Sequence, residues 1–221
     1  MIAFNGRAGV AIGDSSADPS NDNAIIDNSI RSNIGLGIDL GDDGVTPNTP
    51  CGRGSGPNLL QNAPVLTSVT VAGTAGTTIL GSLNAAPNAT YLVEFFANPQ
   101  CDPSGSGQGE FGVGSVSVVT GGDCRADFEA HFASITLGLS ATATATDAAG
   151  NTSEFSACRM VAAAPTTTPT SAPTSTPSST PVVTKTPTPA AQVTVPTLSE
   201  EFLVFLGLTL GLLGVILLRR F

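Results

Sequence analysis

Three kinds of side chain in this chain could do chemistry: clustered carboxylates, four cysteines and one histidine. Asp39, Asp42 and Asp43 stand around Gly41 and Gly44, and three carboxylates at a glycine turn are hard oxygen donors of the kind that hold Ca²⁺. The ordered ligand spacing of an EF-hand is missing, with no Glu at the twelfth position. The expectation is therefore a solvated Asp/Gly turn that caps the segment before it, with no metal bound. Glu94 and Asp102 form a second carboxylate pair, the apparatus of glycoside hydrolysis. Glu94, however, lies beside Phe95 in an apolar run, and the sequence marks no cleft around the pair. His131, between Phe128 and Phe132, reads as a strand residue. No G-x-S-x-G, H-E-x-x-H or phosphate-binding glycine loop with Lys occurs, and the glycine-rich run 105–114 reads as a loop. No catalytic residue and no cofactor are expected.

The cysteines Cys51, Cys101, Cys124 and Cys158 are 50, 23 and 34 residues apart, without a C-x-x-C, which argues for disulfides rather than zinc. Three pairings are open. Lys and Arg number 8 against 17 Asp and Glu, a net charge of −9, so the surface repels phosphate and nucleic acid is not an expected partner. Low aromatic content, no Trp and 25 glycines suit a turn-rich all-β protein. The first residues carry no basic stretch followed by an apolar core, so they do not read as a signal peptide. The expectation is that Met1 is an internal or misassigned start and that a longer parent chain carries the export signal.

The elements that must position these residues begin with an internal repeat. Segments 2–12 and 30–40 align 28 residues apart and share Ile2/Ile30, Asn5/Asn33, Gly9/Gly37, Val10/Ile38 and Ile12/Leu40. Alternating Val10 and Ile12, like Ile38 and Leu40, point to one side of a strand. The recurring Asn can stack on its counterpart, and the recurring Gly permits a sharp corner. Residues 26–30 add another short strand, and 14–23 read as a polar loop. Residues 1–48 resemble the closing coils of the right-handed parallel β-helix of CSLREA-type bacterial surface proteins. Residues 49–62, rich in Pro and Gly, read as a linker.

Residues 63–161 form a second module of strand-like runs separated by turn clusters: 65–71, 77–83, 90–97, 114–120, a run ending at 134, 137–146 and 152–158. Seven short antiparallel strands, each with one buried face, predict a β-sandwich. The stretches Asn62-Ala63-Pro64-Val65-Leu66, Glu94-Phe95-Phe96-Ala97-Asn98, Cys101-Asp102-Pro103-Ser104-Gly105, and Ala143-Thr144-Ala145-Thr146-Asp147 through Gly150-Asn151-Thr152-Ser153-Glu154-Phe155-Ser156 resemble bacterial Ig-like modules that follow such β-helices. Cys101 follows the central strand and Cys158 ends the last one, so a Cys101–Cys158 bond is expected, contributing about 4 kcal/mol by loop closure. Cys51 and Cys124 either pair or stay free.

Residues 162–196 are dominated by Thr, Ser, Pro and Ala, a composition that builds no core and favours extended backbone. At about 3.1 Å per residue this stalk reaches roughly 100 Å. Its hydroxyls are candidate glycan acceptors; a plain spacer is the alternative. Residues 202–218 carry no charge and no Pro, and they end at Arg219 and Arg220. As a helix they rise about 25 Å, the short end of a membrane span, with the arginines held at the cytoplasmic headgroups. Val195, Pro196, Thr197, Leu198, Ser199 and Glu200, then the apolar segment, then the basic pair, resemble an IPTL-type C-terminal sorting signal, a relative of the PEP-type signals handled by exosortases. Val195 stands where that pattern has Ile, and Glu201 where it has Trp. The tail, 195–221, implies membrane insertion, residues 1–200 outside the cytoplasm, and an exosortase-like processing enzyme as partner.

These features make the chain a mainly β, non-catalytic cell-surface or exported protein of structural or adhesive type, whose partners are the membrane and a surface glycan or protein ligand. Two alternatives stand beside this reading. One is the C-terminal end of a polysaccharide-degrading β-helix enzyme, which further coils bearing a groove of Asp, Lys and Arg would favour. The other is a carbohydrate- or calcium-binding surface module.

Overall fold

The computed structural model describes residues 1–52 and 54–165, and the chain there is mainly β. Its first four strands are short: β1 (Ile2–Ala3), β2 (Val10–Ile12), β3 (Ile30–Arg31) and β4 (Ile38–Leu40). They pair in parallel, β1 with β3 and β2 with β4, and the register is that of the repeat: Ile2 opposite Ile30, Val10 opposite Ile38, Ile12 opposite Leu40. At these positions aliphatic side chains lie over aliphatic ones. Asn5 Nδ2 donates to Asn33 Oδ1 at 2.9 Å, and the Asn5 amide donates to the same oxygen at 3.1 Å. Residues 26–29, expected as strand, are not part of one; pairing starts only at Ile30.

The repeated glycines serve close packing rather than a corner. A Cβ on Gly9 would lie 2.7 Å from Gly37 O and from Ile30 Cγ2, and one on Gly37 would lie 2.7 Å from the Phe155 ring. Neither needs a left-handed backbone. Gly37→Ala is expected to cost about 1–3 kcal/mol, the usual penalty of overpacking, read as a lowered Tm.

Six longer strands follow: β5 (Val65–Val71), β6 (Thr77–Asn84), β7 (Thr90–Asn98), β8 (Phe111–Val119), β9 (Arg125–Phe132) and β10 (Ser140–Asp147). Two short ones, β11 (Arg159–Met160) and β12 (Ala162–Ala163), close the described chain. They make two four-stranded sheets, ordered β11-β10-β7-β8 and β12-β5-β6-β9. Pairing is antiparallel except for β12, which runs parallel to β5. The period-two pattern sets which side of a strand faces inward: in β6, Thr77, Ile79, Gly81 and Leu83 are buried, while the residues between them are partly or fully exposed. The buried sides of both sheets share one core, centred on Phe95, with Phe128 and Phe132 packed against it at ring-centroid distances of 5.7 and 5.3 Å. The run expected at 152–158 makes only isolated bridges, at Thr152 and Ala157.

One expectation about burial is overturned. The two central strands of the first sheet, β7 and β10, are covered on both faces, not one. Along β7, Tyr91, Val93, Phe95 and Ala97 enter the shared core, while Phe96 joins a second apolar cluster with Ile12, Ile30, Ile38, Leu40 and Phe155. Along β10, Ala141, Ala143 and Ala145 face the core, and Thr142, Thr144 and Thr146 are buried on the opposite side. The paired coils lie against that opposite face. Two of the three threonine hydroxyls find partners there: Thr142 Oγ1 donates to Gln108 O at 2.7 Å and accepts from Asn98 Nδ2 at 3.1 Å, and Thr146 Oγ1 pairs with Thr152 Oγ1 at 2.9 Å. Alternating Thr and Ala is thus compatible with burial on both sides, and alternation alone does not reveal it.

Residues 49–62, expected as a linker, also pack into the body. Single 3-10 turns lie at Pro50–Gly52 and Pro57–Leu60. The fully buried Asn58 donates to Asn23 O and to Thr152 O, both at 2.9 Å, and Asn62 donates to Thr49 O and Asn84 O, both at 2.7 Å. Each amide ties segments distant in sequence. The described residues belong to one compact unit. Cys101 is bonded to Cys158 and Cys51 to Cys124, so all four cysteines are paired. No helix among the described residues is long and apolar enough to cross a membrane. The sorting motif at 195–200, the apolar segment 202–218 and Arg219-Arg220 lie outside the described residues.

Candidate functional site

The carboxylates singled out by sequence do not converge. Glu94 and Asp102 line different cavities. Asp102 sits in the loop after β7, where Oδ1 accepts from the Ser104 amide at 2.9 Å and Oδ2 from Gln108 Nε2 at 2.9 Å. Gln108 was not legible as important, yet it joins this loop to the coils: Nε2 donates to Asn33 O at 3.0 Å, and Oε1 accepts from the Asn33 amide and Nδ2 at 3.1 and 3.0 Å.

The turn after β4 spends its aspartates internally. Asp39, buried rather than solvated, accepts from the amides of Asp43 and Gly44 at 3.2 and 3.3 Å. Asp42 forms an ion pair with Arg7. Among the described residues, no group of three or more His, Cys, Asp or Glu is placed to hold a metal ion. Beside this turn lies Glu154, 4% exposed, which sequence reading places in the Ig-like stretch 150–156 without a role of its own. Its Oε1 accepts from the Leu40 amide at 3.0 Å and Thr46 Oγ1 at 2.9 Å, and Oε2 accepts from the Thr46 amide at 2.9 Å. A carboxylate accepting three bonds from one turn clamps the end of the coils to the strand region after β10. The only sequence signal for it was an acidic residue in an otherwise small, neutral stretch.

Burial raises the carboxyl pKa of Glu154, of Asp39 and of Glu94 above the ordinary value. A raised native pKa means that the folded form holds its proton more tightly than the unfolded one. This stability is present in full below the unfolded value and is lost as pH rises through the raised native values. Asp18 runs the other way, lowered by the Ser20 hydroxyl, but it is exposed and carries little weight. The Tm is accordingly expected to be higher at about pH 5 than at about pH 8, with Glu154→Gln flattening the profile. A Tm that climbs steadily from acid to alkaline pH would contradict this account.

His131 stands on β9, its ring 68% exposed, within 3.3 Å of Glu129 Oε1 and 3.2 Å of Thr78 Oγ1. The polar cavity of about 290 Å³ beside β3 has a different character. Arg31, Asn98, Gln100, Asp102, Gln108 and Glu110 line it. The Arg31 guanidinium also lies 5.4 Å from the centroid of the Phe4 ring. Phe4 is 74% exposed and has φ of 61°, a left-handed conformation costly for a bulky side chain. An aromatic face held in solvent by strained backbone, next to a cation, amides and carboxylates, can stack on and hydrogen-bond a polar ligand. No protein-family model matches this chain, and no curated protein matches it with significance.

Proposed function

We propose that the chain is a non-catalytic structural or adhesive protein, displayed outside the cytoplasm through its C-terminal tail. In this reading residues 1–48 are the closing coils of a right-handed parallel β-helix, residues 63–161, which β12 extends to Ala163, are an Ig-like β-sandwich, and the residues after β12 up to 196, expected as stalk from 162, are the stalk. The tail 195–221 is the sorting signal and membrane anchor, the substrate of an exosortase-like enzyme. The observation that carries the reading is the pair of disulfides, which closes the body covalently and belongs to an oxidising compartment. The apolar segment 202–218 and the terminal arginines supply the means of display.

The test is protease treatment of intact cells that make the full chain, followed by intact-mass measurement of the cell-bound remainder. Loss of the body from sealed cells is the expected result. A protected, fully reduced protein would overturn the reading. The same mass measurement distinguishes a retained anchor, ending at Phe221, from a tail processed before residue 202.

A second reading, glycan capture, is favoured by the exposed Phe4 beside Arg31 and the polar cavity. It requires that Phe4→Ala abolish binding of the full chain to surface polysaccharide without lowering Tm.

A further inference from the structure

We propose that Glu94 and Asp27 form a binding site for a divalent cation of the calcium class, between the coils and the outer face of the first sheet. Glu94 is 5% exposed, and its Oε1 accepts from the Asp27 amide at 3.0 Å. Its other oxygen, Oε2, is buried without any hydrogen-bond partner. A carboxylate oxygen left in that state costs the full desolvation of a charged acceptor, which few native positions tolerate without a ligand. Glu94 lines a cavity of about 230 Å³ together with Asp27, Asn28, Ser29, Gly112 and Ser115. The residue opposite Glu94 on β10 is Thr144, whose buried hydroxyl also lacks a partner. Glu94 lines the cavity and Thr144 does not, so the unpartnered oxygen at the cavity is that of Glu94.

The chemistry of the donors selects the ligand. Two carboxylates balance a divalent charge, and the other polar groups of the lining, beside Phe95 and Phe96, offer neutral oxygens from hydroxyl, amide and backbone. No thiolate or imidazole lines this cavity, so a soft or borderline metal finds none of its preferred ligands. Calcium accepts six to eight oxygens in irregular arrangement and completes its shell with water, whereas magnesium demands near-ideal octahedral geometry. Asp27 is exposed and Glu94 is not, so the pair offers a mouth and a floor to an entering ion. Asp27 has φ of 56°, and in that left-handed conformation its amide meets Glu94. Burial pushes the Glu94 carboxyl pKa up, and the Asp27 carboxylate adds to the rise. A bound cation would relieve both. The site is separate from the Asp39, Asp42 and Asp43 turn, where the Asp39 and Asp42 carboxylates are engaged elsewhere.

Full-length protein treated with chelator and then dialysed against Ca²⁺ alone is expected to bind a single ion, with Kd of about 10⁻⁴–10⁻³ M, the range of extracellular calcium modules. Saturating Ca²⁺ is expected to raise the Tm by a few degrees. Glu94→Gln and, independently, Asp27→Asn should abolish both effects, while Asp43→Asn keeps them. Asp27 is exposed, so its variant remains informative should Glu94→Gln fail to fold. No Tm rise in the parent, or a rise retained in the Asp27→Asn variant, would overturn the proposal.

Discussion

Reduction of Cys51–Cys124 and Cys101–Cys158 together is expected to unfold the described body near 37 °C. The bonds close chain separations of 73 and 57 residues. At such lengths the chain-entropy model gives about 4 kcal/mol each. About 8 kcal/mol in total is comparable to the whole stability of an ordinary domain, about 5–15 kcal/mol. The two bonds also act at different places. Cys101–Cys158 holds the loop after β7 against the segment that enters β11. Cys51–Cys124 ties the turn at Pro50–Gly52 to the connection between β8 and β9. Thermal melts with and without reductant measure the combined loss. Paired Cys→Ala variants assign it: C101A/C158A and C51A/C124A are each expected to lower the Tm substantially, with the double loss abolishing a cooperative transition. An unchanged Tm on full reduction would mean that packing alone holds the fold.

Phe155→Ala is expected to cost about 3–5 kcal/mol, the range for removing a buried aromatic side chain. Phe155 is 3% exposed and meets Phe96 edge-to-face, centroids 5.3 Å apart and planes at 77°. Its ring fills the space over Gly37 and Gly109, where an added Cβ would come within 2.7 and 2.6 Å of it. The residue therefore belongs to the cluster that joins the coils to the first sheet, and not to the core between the sheets. That location makes the effect selective. Hydrogen exchange should speed up for Ile38–Leu40 and their neighbours well before it does for β5 and β6, because local opening follows the local loss of contacts. Uniform acceleration across both sheets would show instead that the coils and sheets open as one cooperative unit.

The coil register shows how far sequence reasoning reaches. Ile2 over Ile30 and Ile12 over Leu40 follow from a 28-residue repeat, because parallel strands that stack like on like must take the register of the repeat. Strand positions from β5 to β7 were equally legible, since period-two alternation is a local property of the chain. The start of β8 was not. The strand begins at Phe111, before the alternating stretch, because Gly114 lets the ladder shift register between Phe95 and Phe96, with the Phe132 ring 2.6 Å from where a Cβ would be.

The chain by itself determined the mainly β character, the repeat register and the alternation of each sheet, all of which depend on neighbours within a few residues or on exact recurrence. Only the tertiary structure decided what covers the outer face of β7 and β10, and hence that Thr142, Thr144 and Glu94 are buried at all. It alone brought Asp27 to Glu94 and Thr46 to Glu154, across 67 and 108 residues of chain. It turned a Pro/Gly-rich stretch that reads as linker into a packed segment, through Asn58 and Asn62. The physical reason is common to these cases. Periodicity states which side of a strand is apolar, but a polar side chain records no trace of the distant partner that will satisfy it.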